Sequence, residues 1–182
     1  FFFGLWAMLI AIFIALTVWW TAAAVRRAPA RAAQVALSPV VALVAVIAPD
    51  ALGVALASAA LYAWSRSRLV WSGVLFGLAI SARTYPVVLL LAVALVAVRA
   101  GRARALVPVV GWALAVVAAL AGLLAWHNPQ GAMRSYAAWL DSSAGFGSPW
   151  VMGQLSGSPW PTWLVTALAV SGWVLAILVG IW

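Results

Sequence analysis

Residues 1–25 carry no charged side chain, and neither do residues 105–126 or 162–182. A helix rises about 1.5 Å per residue and the hydrocarbon core of a bilayer is about 30 Å thick, so about 20 such residues suffice to cross it. Lipid offers no hydrogen-bonding partner, so a spanning segment must satisfy its backbone as a helix or within a closed barrel. Barrel strands alternate apolar and polar residues, whereas these runs are continuous. The expected fold is therefore all-α, a polytopic transmembrane helical bundle. Composition agrees, because 68% of the residues are hydrophobic and 7% charged, against roughly 25% charged in a soluble domain. Too few polar side chains are present to coat a water-soluble surface.

Four shorter apolar runs, 35–48, 51–64, 69–82 and 87–98, lie between the long ones. Each reads as a short or tilted span, or else 35–64 and 69–98 are two long helices kinked at Pro49 and Pro86. Charge placement decides. Cytoplasmic loops collect Arg and Lys. Seven spans with the N-terminus outside put Arg26, Arg27, Arg31, Arg66, Arg68, Arg99, Arg102 and Arg104 on one face, and both Asp, Arg83 and Arg134 on the other. Merging the pairs would place Arg66 and Arg68 opposite the other clusters. About seven spans are expected, in a multi-pass plasma-membrane protein. Residues 1–182 read as one transmembrane domain with an extracytoplasmic loop over 126–161. The opening Phe1-Phe2-Phe3 lacks the basic n-region of a signal peptide, so the first run reads as a membrane span, and without an initiator Met the chain reads as a fragment of a longer membrane protein.

On a soluble protein a net charge of +8 would suggest nucleic acid as a partner; with the arginines clustered between apolar runs, no nucleic acid is expected. The chain has no Cys, so thiolate sites are excluded, and a lone His127 has no partner at metal-ligand spacing, so no metal is expected. Asp50 opens a helix after Pro49. It either caps a hairpin helix, where the dipole favours a negative charge, or serves a polar site, since carboxylates at a membrane boundary are scarce. Arg83 falls in the same outer layer. It either snorkels to the interface, or interacts with Asp50, or meets an anionic ligand, and its planar fork of donors suits a phosphate. Tyr85 is an aromatic-belt residue or a wall of the same pocket. The loop carries Arg134, Asp141, Ser148 and Trp150 amid Tyr, Trp, Gly and Ser, a set suited either to stacking on sugar rings or to an interfacial aromatic belt. Gly73 and Gly77, four apart, form a small-residue face for close helix packing. No catalytic triad order, phosphate loop or dinucleotide motif occurs.

The order of these features resembles a known family. Ser38-Pro39 begins a short run, Asp50 follows at its outer end, and Arg66-Ser67-Arg68 precedes Gly73-Val74-Leu75-Phe76-Gly77-Leu78-Ala79. Arg83-Thr84-Tyr85-Pro86 comes next, and Gly147-Ser148-Pro149-Trp150 lies in the loop. This is similar to the polyprenol-phosphate-mannose-dependent mannosyltransferases of glycosyltransferase family 87, within the GT-C superfamily of actinobacterial membrane enzymes. Those have an Asn-Trp-Asp step, a Gly-x-x-x-Gly-Leu-Ala stretch and a Lys-x-Tyr-Pro motif. Here Pro49-Asp50 lacks the preceding Asn-Trp, and Arg83 stands in place of the Lys, keeping the charge but not a titrating amine.

The resemblance implies a GT-C-like bundle that moves a sugar from a polyprenyl-phosphate donor to a glycan or glycolipid acceptor on the extracytoplasmic face, without a cofactor. Substrate binding is expected at Asp50, Arg83, Tyr85, Arg134, Asp141, Ser148 and Trp150. The main catalytic acid belongs, by the same resemblance, to an outer loop upstream of these residues, so no base role passes to Asp50 or Asp141. Two other classes remain at this stage: a transporter or flippase subunit, which would place charges near the midplane of broken helices, and a non-catalytic assembly protein.

Overall fold

The computed structural model describes residues 2–25, 51–131, 134, 157 and 160–181. Among these the chain is all-α. Helices α1 (Phe2–Ala24), α2 (Ala51–Ser65), α3 (Leu69–Ala82) and α4 (Pro86–Arg99) are followed by a 3-10 turn at Ala103–Ala105, then by α5 (Leu106–His127) and α6 (Thr162–Ile181). The runs expected at 51–64, 69–82 and 87–98 reappear as α2, α3 and α4 to within one residue. The run expected at 35–48 lies outside the described residues. Two stretches, Gly4–Ala24 and Ala103–His127, are long and apolar enough to cross a membrane. With 15, 14 and 14 residues, α2 to α4 are each only about 21–23 Å long at the helical rise, shorter than a full hydrocarbon core.

The chain divides into two compact units, Phe1–Leu120 and Ala121–Trp182. In the first, α2 packs against α1, α3 and α4. Its buried positions are all small: Gly53, Ala55, Ala57, Ala59, Ala60 and Ala63. Small side chains on several sides let neighbouring backbones come close, which suits α2 to the middle of the unit. Helix α1 lies along it. Its less exposed residues Ile10, Phe13, Ile14, Thr17 and Thr21 recur at three- and four-residue steps and so share a face. Thr17 and Thr21 donate their hydroxyls to the carbonyls of Phe13 and Thr17, at 2.8 and 2.7 Å, which leaves that face no free donor. Trp20 packs on Tyr62 with ring centroids 5.0 Å apart. Both rings lie near the C-terminal ends of their helices, so α1 and α2 run in the same direction.

A turn at residues 66–68 reverses the chain into α3. The Arg68 amide donates to the Ala63 carbonyl and the Ser67 amide to the Trp64 carbonyl, both at 2.9 Å, with Ser67 at φ +58°. These paired bonds form a Schellman motif, which satisfies carbonyls that a helix end otherwise leaves unpaired. Farther along, the buried Ser72 hydroxyl donates to the Ala60 carbonyl at 3.0 Å and ties α3 to α2.

The glycine pair of α3 meets α5. A Cβ at Gly73 would lie 2.5 Å from the Val109 carbonyl oxygen and 2.8 Å from Trp112 Cβ; one at Gly77 would lie 2.7 Å from Val116 Cβ and 2.8 Å from the Ala113 carbonyl oxygen. The small-residue face read from the sequence is thus a seam where two backbones approach, and Ala60, Phe76, Val109 and Ala113 form the buried core beside it.

Residues 83–85 turn the chain back into α4, so 69–98 is two helices rather than one kinked helix. Pro86 is the first residue of α4, where its missing N–H costs no helical bond. Helix α4 ends as α2 does. The Arg102 amide donates to the Ala97 carbonyl at 2.8 Å and the Gly101 amide to the Val98 carbonyl at 3.0 Å, with Gly101 at φ +71°.

In the second unit, the Asn128 side-chain oxygen accepts the Gly131 amide at 2.8 Å. Helix α6 opens after Pro161, whose carbonyl accepts the Leu164 amide at 2.9 Å.

Candidate functional site

Antiparallel packing sorts the described arginines of the first unit by end. Arg66 and Arg68 sit on the turn between α2 and α3. The Arg102 guanidinium lies over the Trp64 ring at 5.9 Å from its centroid, which brings the far end of α4 to the same place. Arg99 and Arg104 flank Arg102 in the chain, and all five side chains are exposed. The opposite end carries a single arginine among the described residues, Arg83.

Arg83 ends α3 in an extended conformation, φ −156° and ψ 149°, with its amide still bonded to the Ala79 carbonyl. Leaving helical geometry there lets Tyr85 reach across the unit. Its phenol lies beside the first turn of α2, and a Cβ at Gly53 would stand 3.0 Å from the Tyr85 hydroxyl oxygen. The turn is pinned at its base by Pro86, among the largest fully buried side chains, and by two bonds into α4. Val87 donates to the Thr84 carbonyl at 3.1 Å and Val88 to the Tyr85 carbonyl at 3.0 Å. Arg83 and Tyr85 themselves remain exposed.

Of the residues expected to bind substrate, Arg83 and Tyr85 thus share one short turn at the end where α2 begins. Asp50, Asp141, Ser148 and Trp150 lie outside the described residues, as does the expected meeting of Asp50 with Arg83. Arg134 is a helical, exposed residue of the second unit. Gly53 was not anticipated as part of this surface. Its signal in the sequence is faint: a lone glycine in an alanine-rich run, three residues after Asp50.

Among the described residues of this end, Arg83 contributes an obligate positive charge with donors in a fixed fork, and the first turn of α2 adds the positive end of a helix dipole. Both attract negative charge. Tyr85 adds a phenol and a flat apolar face. Among the described residues no group of three or more His, Cys, Asp or Glu could hold a metal ion. Neither a family model, nor a curated protein, nor a solved structure matches this chain.

Proposed function

We propose that this chain is part of a multi-pass membrane glycosyltransferase of the GT-C type, with about seven spans. In this reading it moves a sugar from a polyprenyl-phosphate donor to a glycan or glycolipid acceptor at the extracytoplasmic face of a bacterial plasma membrane. Arg83 faces the donor phosphate and stabilises the charge that develops as the sugar leaves, and Tyr85 forms a wall of the pocket. A carboxylate elsewhere in the full-length protein removes the acceptor hydroxyl proton. The resemblance implies further substrate contacts by Asp50, Arg134, Asp141, Ser148 and Trp150. No metal and no cofactor take part.

The observation that carries the membrane part of the reading is the segregation of charge, and the sugar-transfer part rests on the resemblance carried by Gly73–Ala79 and Arg83–Pro86. Five arginines gather at one end of α2–α4 while Arg83 and Tyr85 stand at the other, about 22 Å away along α2 at the helical rise. That is the pattern of a chain crossing a bilayer with its cationic turns in the cytoplasm, and it leaves the Arg83 turn facing outward. Large apolar side chains exposed along the helices support lipid surroundings: Val107, Leu114 and Trp126 are 73%, 64% and 88% exposed.

The test is Arg83→Ala in the full-length parent, assayed for sugar transfer from a polyprenyl-phosphate donor in membranes. Transfer is expected to fall by two orders of magnitude or more, roughly the effect of removing one charge-stabilising donor. Undiminished transfer would remove the phosphate contact from the mechanism.

A further inference from the structure

We infer that the arginine end of the first unit is a binding surface for the headgroups of anionic phospholipids. The inference rests on the membrane reading above but not on the glycosyltransferase reading. Its starting point is a convergence that the chain order hides. Arg66 and Arg102 are 36 positions apart, yet both stand at the C-terminal end of α2. The Arg66 guanidinium lies over the Tyr62 ring at 5.1 Å from its centroid, and that of Arg102 over Trp64 at 5.9 Å. Residues two apart on a helix point to different sides, so the two cations flank the helix end rather than crowd together.

Three features favour lipid headgroups as the occupant. The first is charge: Arg68, Arg99 and Arg104 add three more exposed cations at this end, and the chain has only two acidic residues, Asp50 and Asp141. No described residue at this end is acidic. The second is the aromatic support. Tyr62 and Trp64 hold the two guanidiniums by cation–π contact, leaving the planar forks of donors to meet phosphate oxygens in pairs. The third is amphipathic position. Tyr62 and Trp64 are half-buried with apolar bodies, the placement that suits ring residues at the headgroup level of a bilayer. Each arginine near an anionic leaflet contributes an attraction equivalent to about fivefold in partitioning.

The experiment uses the whole chain reconstituted in phosphatidylcholine nanodiscs. These carry a minor fraction of spin-labelled phosphatidylglycerol or, in parallel, spin-labelled phosphatidylcholine. The protein is expected to select the anionic label at least about fivefold over the zwitterionic one, and R66Q/R102Q to lower that preference several-fold or to abolish it. The R68Q/R99Q pair, which removes the same charge without touching either ring contact, reads the same surface should R66Q/R102Q lose helix content. Equal association of the two labels with the unaltered chain, or a preference unchanged in both double variants, would overturn the inference. Alkaline carbonate extraction of membranes holding the chain separates the two failures. A chain released into the soluble fraction refutes the membrane reading and this inference with it, whereas a retained chain without anionic preference refutes this inference alone.

Discussion

The two ends of α2 are built by different means. At the arginine end, both helix termini close on themselves. Schellman bonds at Ala63–Arg68 and Ala97–Arg102 satisfy the last carbonyls from within the backbone, so the arginine side chains carry no structural duty beyond their contacts with Tyr62 and Trp64. At the other end, the turn leaves helical geometry at Arg83, and Tyr85 reaches Gly53 through its side chain. The lesson is that substitutions at the first end change charge without changing shape. At the second end they change the shape of the surface that the proposed chemistry uses. The two ends should therefore fail in different ways, and the glycine seam between them should fail in a third.

The comparison is sharpest in activity. Arg83→Ala should lower sugar transfer by at least about a hundredfold, while Arg68→Ala, an exposed residue at the other end, should leave transfer within about twofold in membranes of unchanged lipid composition, since an exposed surface change ordinarily perturbs a fold by less than about 0.5 kcal/mol. Equal losses from the two variants, measured in one transfer assay, would erase the distinction between the ends.

Next in size is the seam that keeps the ends in register. Gly73→Val places new atoms against the Val109 carbonyl oxygen and Cα. Backbone atoms cannot rotate aside as a side-chain tip can, so α3 and α5 must separate. Overpacking of this kind costs about 1–3 kcal/mol or more, read as a lower midpoint in a denaturing-detergent titration. Gly111→Ala is the control, because a Cβ there meets nothing within 4 Å. It should be neutral or raise the midpoint slightly, since alanine is the better helix former by about 1 kcal/mol. If both substitutions lowered the midpoint equally, close approach at Gly73 would not be what joins the helices.

A smaller effect is expected where the obstruction is soft. Gly53→Ala brings a methyl group to 3.0 Å from the Tyr85 hydroxyl oxygen, the far end of a side chain rather than backbone. Stability should change by less than about 1.5 kcal/mol. The informative readout is KM for the lipid-linked donor, which should rise while kcat changes less, because a displaced Tyr85 alters the pocket wall and not the leaving phosphate. A kcat loss with KM unchanged would take Tyr85 out of the binding surface.

Helix existence and most boundaries were legible in the sequence because uninterrupted apolar runs broken by Arg-rich or Pro-containing turns leave few alternatives. The runs at 51–64, 69–82 and 87–98 show this, as does the glycine pair of α3. Other features were not legible. The shortness of the helices at 51–65, 69–82 and 86–99 was plain, but hydropathy alone does not say whether a short apolar helix crosses lipid or packs within a bundle. The contact of Tyr85 with Gly53 joins residues 32 positions apart, and it depends on where Arg83 leaves the helix. No periodicity encodes that choice. The meeting of Arg102 with Trp64 was hidden for the same reason, although the expectation that their clusters share a face followed from charge alone.

The smallest predicted effect tests the arginine end at the level of one dihedral angle. Ser67 and Gly101 hold the same position in the two Schellman motifs, both with positive φ, +58° and +71°. A side chain in the left-handed region costs about 1 kcal/mol because its Cβ crowds the following carbonyl, and glycine escapes that cost while losing somewhat more backbone freedom on folding. Ser67→Gly should therefore stabilise the first unit by about 0.5–1 kcal/mol, and Gly101→Ala should destabilise it by about 1 kcal/mol. Neither should alter lipid preference, because no charge moves and no ring contact is touched. Midpoint shifts of opposite sign in the same detergent titration would show that these turns are set by backbone geometry. A destabilising Ser67→Gly would mean that the serine hydroxyl holds the turn, and the likeness between the two motifs would then be one of shape without a shared cause.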